Sequence, residues 1–383
     1  MTENCSGATF CFPDLILSYL CQRAILILSS VQPKHFTSTM VTIRSISISP
    51  PLINTACAWA TDEPQLAALF DSPYTGAVTT RTSTLGGFTE DASHTVTPFP
   101  FSKHAADPLI KVAFFRDSLS SINSYGYSPH PLLSYVGPGG WVRAILERTP
   151  DSSKPFIISI TESHPTDLRL VLNAIQDLRA AQQGWASRIA IELNTSCPNI
   201  PAHPPPSYDP AGPALAALLD VLAEFFWKDT RLTIGIKLPP YVVGTQIADV
   251  VQTIAAYSRI DPELAMSVNP IAFLTCTNTL GNGLAFADQV EGATVPPGIG
   301  GLAGEAIHSL SLGNVYAFSK LLAESEDPAL QEIAIIGAGG VTTPEAVARM
   351  HRAGARVVGS ATLLGKLGVA AFELLSNGVN SAP

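Results

Sequence analysis

Beyond residue 40, short runs of β-branched and aliphatic residues recur along the chain. Each is followed by a stretch whose apolar residues fall three and four positions apart. The runs at 52–56, 77–81, 155–160, 188–194, 232–238, 271–276, 333–337 and 356–360 predict eight strands. The stretches at 64–70, 133–147, 166–182, 211–226, 245–257, 312–323, 344–353 and 363–375 predict eight helices, each with one apolar face. Strands that alternate with helices pair in parallel through crossover connections. Eight such units predict an α/β fold of the closed (β/α)8 TIM-barrel type, a single domain with insertions at its C-terminal face. An open doubly wound sheet is the rival, and it would carry a Gly-rich turn after the first strand. The chain reads Cys57-Ala58-Trp59-Ala60 there, without a glycine, which favours the barrel.

Residues 1–39 stand outside the alternation. They mix an apolar patch with Ser, Cys and scattered charge. Glu3 argues against a secretion signal, and the presence of only Arg23 and Lys34 argues against a mitochondrial leader. The segment reads as a poorly ordered or dispensable extension, or as a start placed ahead of a true beginning at Met40. Residues 41–49 read as regular strand, and 40–383 as one catalytic domain. The longest insertion runs over 86–128, and the Pro-rich 198–206 reads as a stiff loop rather than a linker between domains.

Composition narrows the classes. Only 14% of the 383 residues are charged, against about a quarter in an ordinary soluble domain, so the chain buries much of itself. The net charge of −9 argues against nucleic acid as a partner. The longest apolar stretch, 15–28, is interrupted by Gln22 and Arg23 and is shorter than the ~20 residues that span a bilayer, so no membrane association is expected. The six Cys contain no CxxC pair, which argues against a zinc site, a disulfide framework or an iron–sulfur cluster held by this chain alone. A reducing, cytoplasmic compartment is the expectation.

In a barrel of this kind the chemistry sits where the strands end. After the seventh strand comes Gly337-Ala338-Gly339-Gly340, and after the eighth Ser360-Ala361-Thr362, each ahead of a helix. Such turns suit a phosphate, although a tight turn alone would account for the glycines. The fourth strand ends in Asn194-Thr195-Ser196-Cys197-Pro198-Asn199, the fifth in Lys237-Leu238-Pro239-Pro240, and the sixth in Cys276-Thr277-Asn278-Thr279; Asn123 adds a further amide. A Cys in an apolar loop is usually a small hydrophobe, but here it stands between two amides at a strand end. Paired carboxylates and a His cluster are missing from these ends, which argues against glycoside chemistry and a metal. Asn side chains carry two donors and an acceptor each, which suits a planar heterocycle with alternating C=O and N–H groups.

On these residues the chain resembles the class 1 dihydroorotate dehydrogenases, most of all class 1A. The resemblance rests on Glu192-Leu193-Asn194-Thr195-Ser196-Cys197-Pro198-Asn199, Gly235-Ile236-Lys237-Leu238-Pro239-Pro240-Tyr241, Thr277-Asn278-Thr279, Gly300-Gly301, Gly339-Gly340 and Ser121-Ile122-Asn123-Ser124-Tyr125-Gly126, in order, and it covers about residues 41–375. It implies FMN as cofactor and oxidation of dihydroorotate to orotate in pyrimidine synthesis. Cys197 would be the general base that takes a proton from C5 while C6 gives hydride to FMN. Asn123, Tyr125, Gly126, Asn194, Asn199, Asn278, Thr279 and Arg81 would hold the substrate. Ala56, Arg81, Thr82, Asn194, Lys237, Gly300, Gly301, Gly339, Gly340, Ala361 and Thr362 would hold the cofactor. Fumarate would be the electron acceptor and a homodimer the assembly, whereas class 1B relatives hand electrons to an iron–sulfur subunit.

The chain departs from the family pattern at several points. Arg81 stands for the usual Lys, Asn54-Thr55-Ala56-Cys57 for Asn-Ala-Ser-Gly, and Ser360-Ala361-Thr362 for Ile-Gly-Thr; the segment 86–117 is longer than its counterpart and unlike it. A related flavin barrel with a drifted substrate, and an idle FMN- or phosphate-binding barrel, remain as alternatives.

Overall fold

The computed structural model describes residues 40–89, 111–199, 204–262, 265–295 and 298–379. The extension read at 1–39, residues 90–110 of the long insertion and 200–203 of the Pro-rich loop lie outside the described residues.

The run at 41–49, expected as one strand, is an antiparallel hairpin of β1 (Val41–Ile43) and β2 (Ile46–Ile48). Arg44 turns the chain in the left-handed region at φ 51°. Its guanidinium donates to the carbonyls of Leu232, Pro270 and Asn269 at 3.2, 2.8 and 2.6 Å, which ties the turn to the base of the barrel. The hairpin's Ile43, Ile46 and Ile48 pack on Ile53, Ala77, Ile157 and Phe273, residues at or near the starts of barrel strands, and so close the N-terminal end.

All eight predicted barrel strands form; one keeps its predicted bounds, one is shifted by a residue, and the other six are shorter. β3 (Leu52–Asn54) and β4 (Val78–Thr79) come first. The chain then leaves the barrel for β5 (Val112–Phe114) and β6 (Ser120–Asn123). It returns as β7 (Phe156–Ile160), β8 (Ile189–Asn194) and β9 (Ile234–Leu238). A small hairpin, β10 (Arg259–Asp261) with β11 (Met266–Val268), precedes β12 (Ile271–Cys276). β13 (Leu280–Leu284) and β14 (Ile299–Gly304) leave again, and β15 (Ala334–Ala338) and β16 (Val357–Ser360) complete the barrel. The sheet order is β3-β16-β15-β12-β9-β8-β7-β4, with every neighbouring pair parallel.

Between β3 and β4 the ladder consists of one bridge, Ile53 to Ala77. The fully buried side chain of Asn54 extends that seam. Its Nδ2 donates to the Thr79 carbonyl at 2.6 Å, and its Oδ1 accepts from the Thr79 N–H at 2.9 Å. An amide has the one donor and one acceptor that a missing backbone pair would have supplied.

Strand pleating sends alternate residues inward. Ile189, Ile191, Leu193, Ile234, Ile236 and Leu238 pack in the core under the helices. That leaves Glu192 and Asn194 on β8, and Lys237 on β9, facing the interior.

Two predicted helices are each broken in two. The stretch 133–147 is Leu133–Val136 and Trp141–Arg148. Pro138 has no N–H to continue a helix and Gly139 turns at φ 74°. The stretch 363–375 is Thr362–Leu367 and Ala370–Val379, divided at Gly368 with φ 63°. A four-stranded antiparallel sheet of order β13-β14-β6-β5, which strand periodicity did not reveal, gathers parts of two insertions. No helix among the described residues is long and apolar enough to cross a membrane.

Candidate active site

A cavity opens among the C-terminal ends of the barrel strands. Ala56 follows β3; Arg81 and Thr82 follow β4; Asn194, Cys197 and Asn199 come from β8 and its loop, and Lys237 from β9. Asn278 and Thr279 follow β12; Gly339 and Gly340 follow β15; Ala361 and Thr362 follow β16. Asn123, Tyr125 and Gly126 reach it from β6 and the turn beyond. The strand ends therefore bring sixteen of the eighteen residues singled out in the sequence to one space.

Gly300 and Gly301 are the exceptions. They do not line the cavity but lie within β14, where Gly300 is paired with Gly283 and Gly301 with Asn123. The lining residues from that strand are Ala303 and Gly304 instead, because the chain first meets the cavity where β14 ends. Gly304 turns there at φ 78°, a conformation that favours glycine. Thr55, Cys57, Trp59, Tyr127, Thr277 and Thr342 also line the cavity and were not picked out from the sequence. Trp59 sits on a short turn after β3, within stacking reach of Phe114 and edge-on to Tyr125. Only its place after a strand end marked it.

Among the described residues the lining has two charged side chains, Arg81 and Lys237, both cations, and no carboxylate. Lys237 is 4% exposed, and its Nζ donates to the Ala56 carbonyl at 3.3 Å. No ion pair to it occurs among the described residues. A buried ammonium with one neutral partner calls for an electron-rich ligand. Arg81 donates to the Gly126 carbonyl at 3.1 Å and stands over the Tyr125 ring, 5.3 Å from its centre.

The amides form a connected set. Asn199 Nδ2 donates to Asn123 Oδ1 at 3.1 Å and to the Tyr125 carbonyl at 2.9 Å; Asn123 Nδ2 donates to the Gly301 carbonyl at 3.1 Å. Across the cavity Asn278 Nδ2 donates to Asn194 Oδ1 at 3.3 Å, and Asn194 Nδ2 donates to Thr82 Oγ1 at 3.0 Å. The Cys197 thiol lies in the loop between Asn194 and Asn199 and is 8% exposed. Burial pushes its pKa up, against a hydrogen bond from the Asn199 backbone and the charges of Lys237 and Arg81, which pull it down. Burial likewise pushes Cys57 up to about 11.

At the other end, Gly339 and Gly340 turn at φ 109° and 68°. His308 braces them: its Nδ1 meets the Gly339 carbonyl at 2.9 Å, and its Nε2 accepts from Arg349 Nε at 3.1 Å. Ser360 Oγ donates to the Val341 carbonyl at 2.8 Å, which ties the turns after β15 and β16 together. Two adjacent turns that bring backbone to one end of a cavity suit the phosphate of a long ligand. The residues present therefore fit a flavin mononucleotide: backbone turns at one end, a buried cation in the middle, and a thiol with amides at the other.

Fold and site together define a (β/α)8 barrel with a ligand cavity at its C-terminal mouth. The family model for dihydroorotate dehydrogenase matches residues 111–382. A probable dihydroorotate dehydrogenase A (fumarate) of Streptococcus pneumoniae serotype 4 is 32% identical over 259 residues, 68% of this chain and 71% of that protein. A putative dihydroorotate dehydrogenase A (fumarate) of Streptococcus equi subsp. equi is 29% identical over 340 residues, 88% of this chain and 91% of that protein. The crystal structure of a dihydroorotate dehydrogenase from Eimeria tenella, solved with ferulenol, has the same fold: TM-score 0.63 at 15% identity, covering 96% of this chain and 91% of the other. The chain belongs to the dihydroorotate dehydrogenase family.

Proposed function

We propose that this chain is an FMN-dependent dihydroorotate dehydrogenase of the class 1A, fumarate-using type, acting in pyrimidine synthesis with Cys197 as general base. FMN, when bound, supplies the acceptor for hydride from C6 of dihydroorotate. The observation that carries the reading is that, among the described residues, two cations and no carboxylate line a cavity that also holds the Cys197 thiol and four amides.

The turns after β15 and β16, with Gly304, hold the phosphate end, and Gly339, Gly340, Ala361 and Thr362 are the residues from the sequence reading that lie there. Lys237, with Ala56, Thr82 and Asn194, would hold the cofactor's ring, and its charge would favour the reduced form. Asn123, Asn194, Asn199 and Asn278 fix the flat acid through their N–H and C=O groups. Thr279 adds a hydroxyl, and Tyr125 and Gly126 close the outer side. Arg81 keeps its charge at the junction of substrate and cofactor.

Cys197 takes the C5 proton as thiolate. A thiol of ordinary pKa, near 8.5, is only a few per cent ionised at neutral pH. Burial lowers that fraction further, and Lys237 and Arg81 recover part of it. The reaction therefore speeds up as pH rises. Free Cys57, Cys197 and Cys276 suit a reducing, cytoplasmic setting, and a homodimer is the assembly in this reading.

Anaerobic addition of dihydroorotate to the purified yellow protein tests the proposal. The flavin colour is expected to bleach with formation of orotate, and fumarate is expected to restore it. A flavoprotein that keeps its colour under dihydroorotate would overturn the assignment.

A further inference from the structure

Beneath the cavity, out of its lining, lies a carboxylate that the reaction does not use. Glu192 points into the barrel from β8, 2% exposed. Its layer is bounded below by the apolar residues that pack on the β1–β2 hairpin, among them Ala190 and Phe273. Each of its oxygens accepts one hydroxyl: Ser159 Oγ donates to Oε1 at 3.0 Å and Thr275 Oγ1 to Oε2 at 2.7 Å. No ion pair to it occurs among the described residues. A buried charge with two hydroxyls for partners is costly to keep.

Proton counting gives that charge a consequence. A carboxylate only accepts, and a hydroxyl has a single proton. Ser159 spends its proton on Glu192, so at its 2.9 Å contact with Thr82 it must accept, and Thr82 must donate. Thr82 then has only lone pairs for its 3.0 Å contact with Asn194, so Asn194 must turn its NH2 toward Thr82. That leaves Asn194 Oδ1 facing Asn278 Nδ2 at 3.3 Å, and Asn278 Oδ1 facing the Thr279 N–H at 2.9 Å. The Ser196 N–H, which donates to Asn194 Oδ1 at 3.2 Å, requires the same orientation from the other side.

We propose that Glu192 is a positioning residue, which through Ser159 and Thr82 fixes the direction of a hydrogen-bonded chain and, together with the Ser196 and Thr279 N–H groups, which edges of Asn194 and Asn278 face the ligand. This rests on the reading of those two amides as substrate holders. The direction of the chain, however, is a property of the protein alone.

Two measurements test it. A joint X-ray and neutron structure of the deuterium-exchanged protein is expected to show the Ser159 deuteron toward Glu192, the Thr82 deuteron toward Ser159, and the Asn194 amide deuterons toward Thr82; reversal at any link overturns the proposal. Orotate affinity, read from perturbation of the flavin spectrum, is expected to weaken about tenfold in Glu192→Leu and about fivefold or more in Ser159→Ala, the scale of one misdirected buried amide. Glu192→Gln should stay within about threefold of the parent, because its carbonyl still accepts from Ser159 and its NH2 meets the Thr275 lone pair. Gln as damaging as Leu would make charge the cause, and a harmless Leu would make it packing; either refutes the proposal. If Glu192→Leu does not fold, Ser159→Ala is compared with Thr275→Val, which leaves the chain to the amides intact; equal losses overturn it. A parent protein that fails to bind orotate would count against the dihydroorotate reading, and the deuteron positions would still decide the direction of the chain.

Discussion

Asn54 joins the two barrel strands whose own ladder is a single bridge, and removing its amide measures what that seam contributes. In Asn54→Ala the Thr79 N–H and C=O both lose their partner inside a fully buried wall. A buried backbone group left without a hydrogen bond costs about 1–3 kcal/mol, so the pair costs about 2–6 kcal/mol. The barrel domain runs from 40 to 379, roughly 340 residues. At about 2.1 cal/mol/K per residue its unfolding entropy is about 0.7 kcal/mol/K, so the midpoint of thermal unfolding should fall by about 3–8 °C. Differential scanning calorimetry of the two proteins at one pH reads this directly. The seam also lies between Thr55 and Arg81, so FMN retention should fall with it. A midpoint lowered by less than about 1 °C would refute the idea that a side chain stands in for the ladder.

Lys237→Met should lose most of its FMN or resist reduction, because it removes the buried cation that the proposed function assigns to the cofactor; a yellow, fully reducible variant contradicts that role. His308 is held neutral between the Gly339 carbonyl and Arg349, and burial depresses its pKa, with Arg349 adding to the depression and the Gly339 carbonyl opposing it. A depressed folded pKa means stability that is complete above the ordinary histidine value of about 6.5 and is lost as pH falls below it toward the folded value. Thermal midpoints of the parent should therefore fall faster with acid than those of His308→Gln, and parallel curves would contradict this. Arg44→Ala removes a charged donor from three carbonyls and a stacking contact 4.3 Å from the Phe226 ring centre. It should cost about 2–4 kcal/mol in the same calorimetric comparison, with activity per folded molecule retained.

The barrel was legible because its strands are buried on both faces and read as continuous apolar runs, each followed by a helix with one apolar stripe. What escaped was written in single residues. Pro138 and Gly139 divide one helix and Gly368 another, and a periodicity count passes over such breaks. The antiparallel sheet escaped because two of its strands, Leu280–Leu284 and Ile299–Gly304, are Gly-rich, and the other two, Val112–Phe114 and Ser120–Asn123, are too short to show an alternation. Cys197, Lys237 and the four amides were legible because polar groups at the ends of apolar strands have no packing reason to be there. Gly300 and Gly301 were named from the family resemblance; they allow close pairing within β14, and the cavity lining begins two residues later. Glu192 belongs to a motif visible in the sequence, yet its partners Ser159 and Thr275 come from strands far away in sequence, and only the closed barrel brings them together.

In the proposed reaction Cys197 takes the substrate proton, and the decisive measurement is single-turnover reduction of the bound flavin by dihydroorotate, followed from about pH 6 to 10. With the thiol pKa pushed up by burial, the rate should climb about tenfold per pH unit and show no plateau until above the ordinary thiol value of about 8.5, and Cys197→Ala should lose both the rate and the climb. A rate independent of pH in the parent, or one retained in Cys197→Ala, would contradict it.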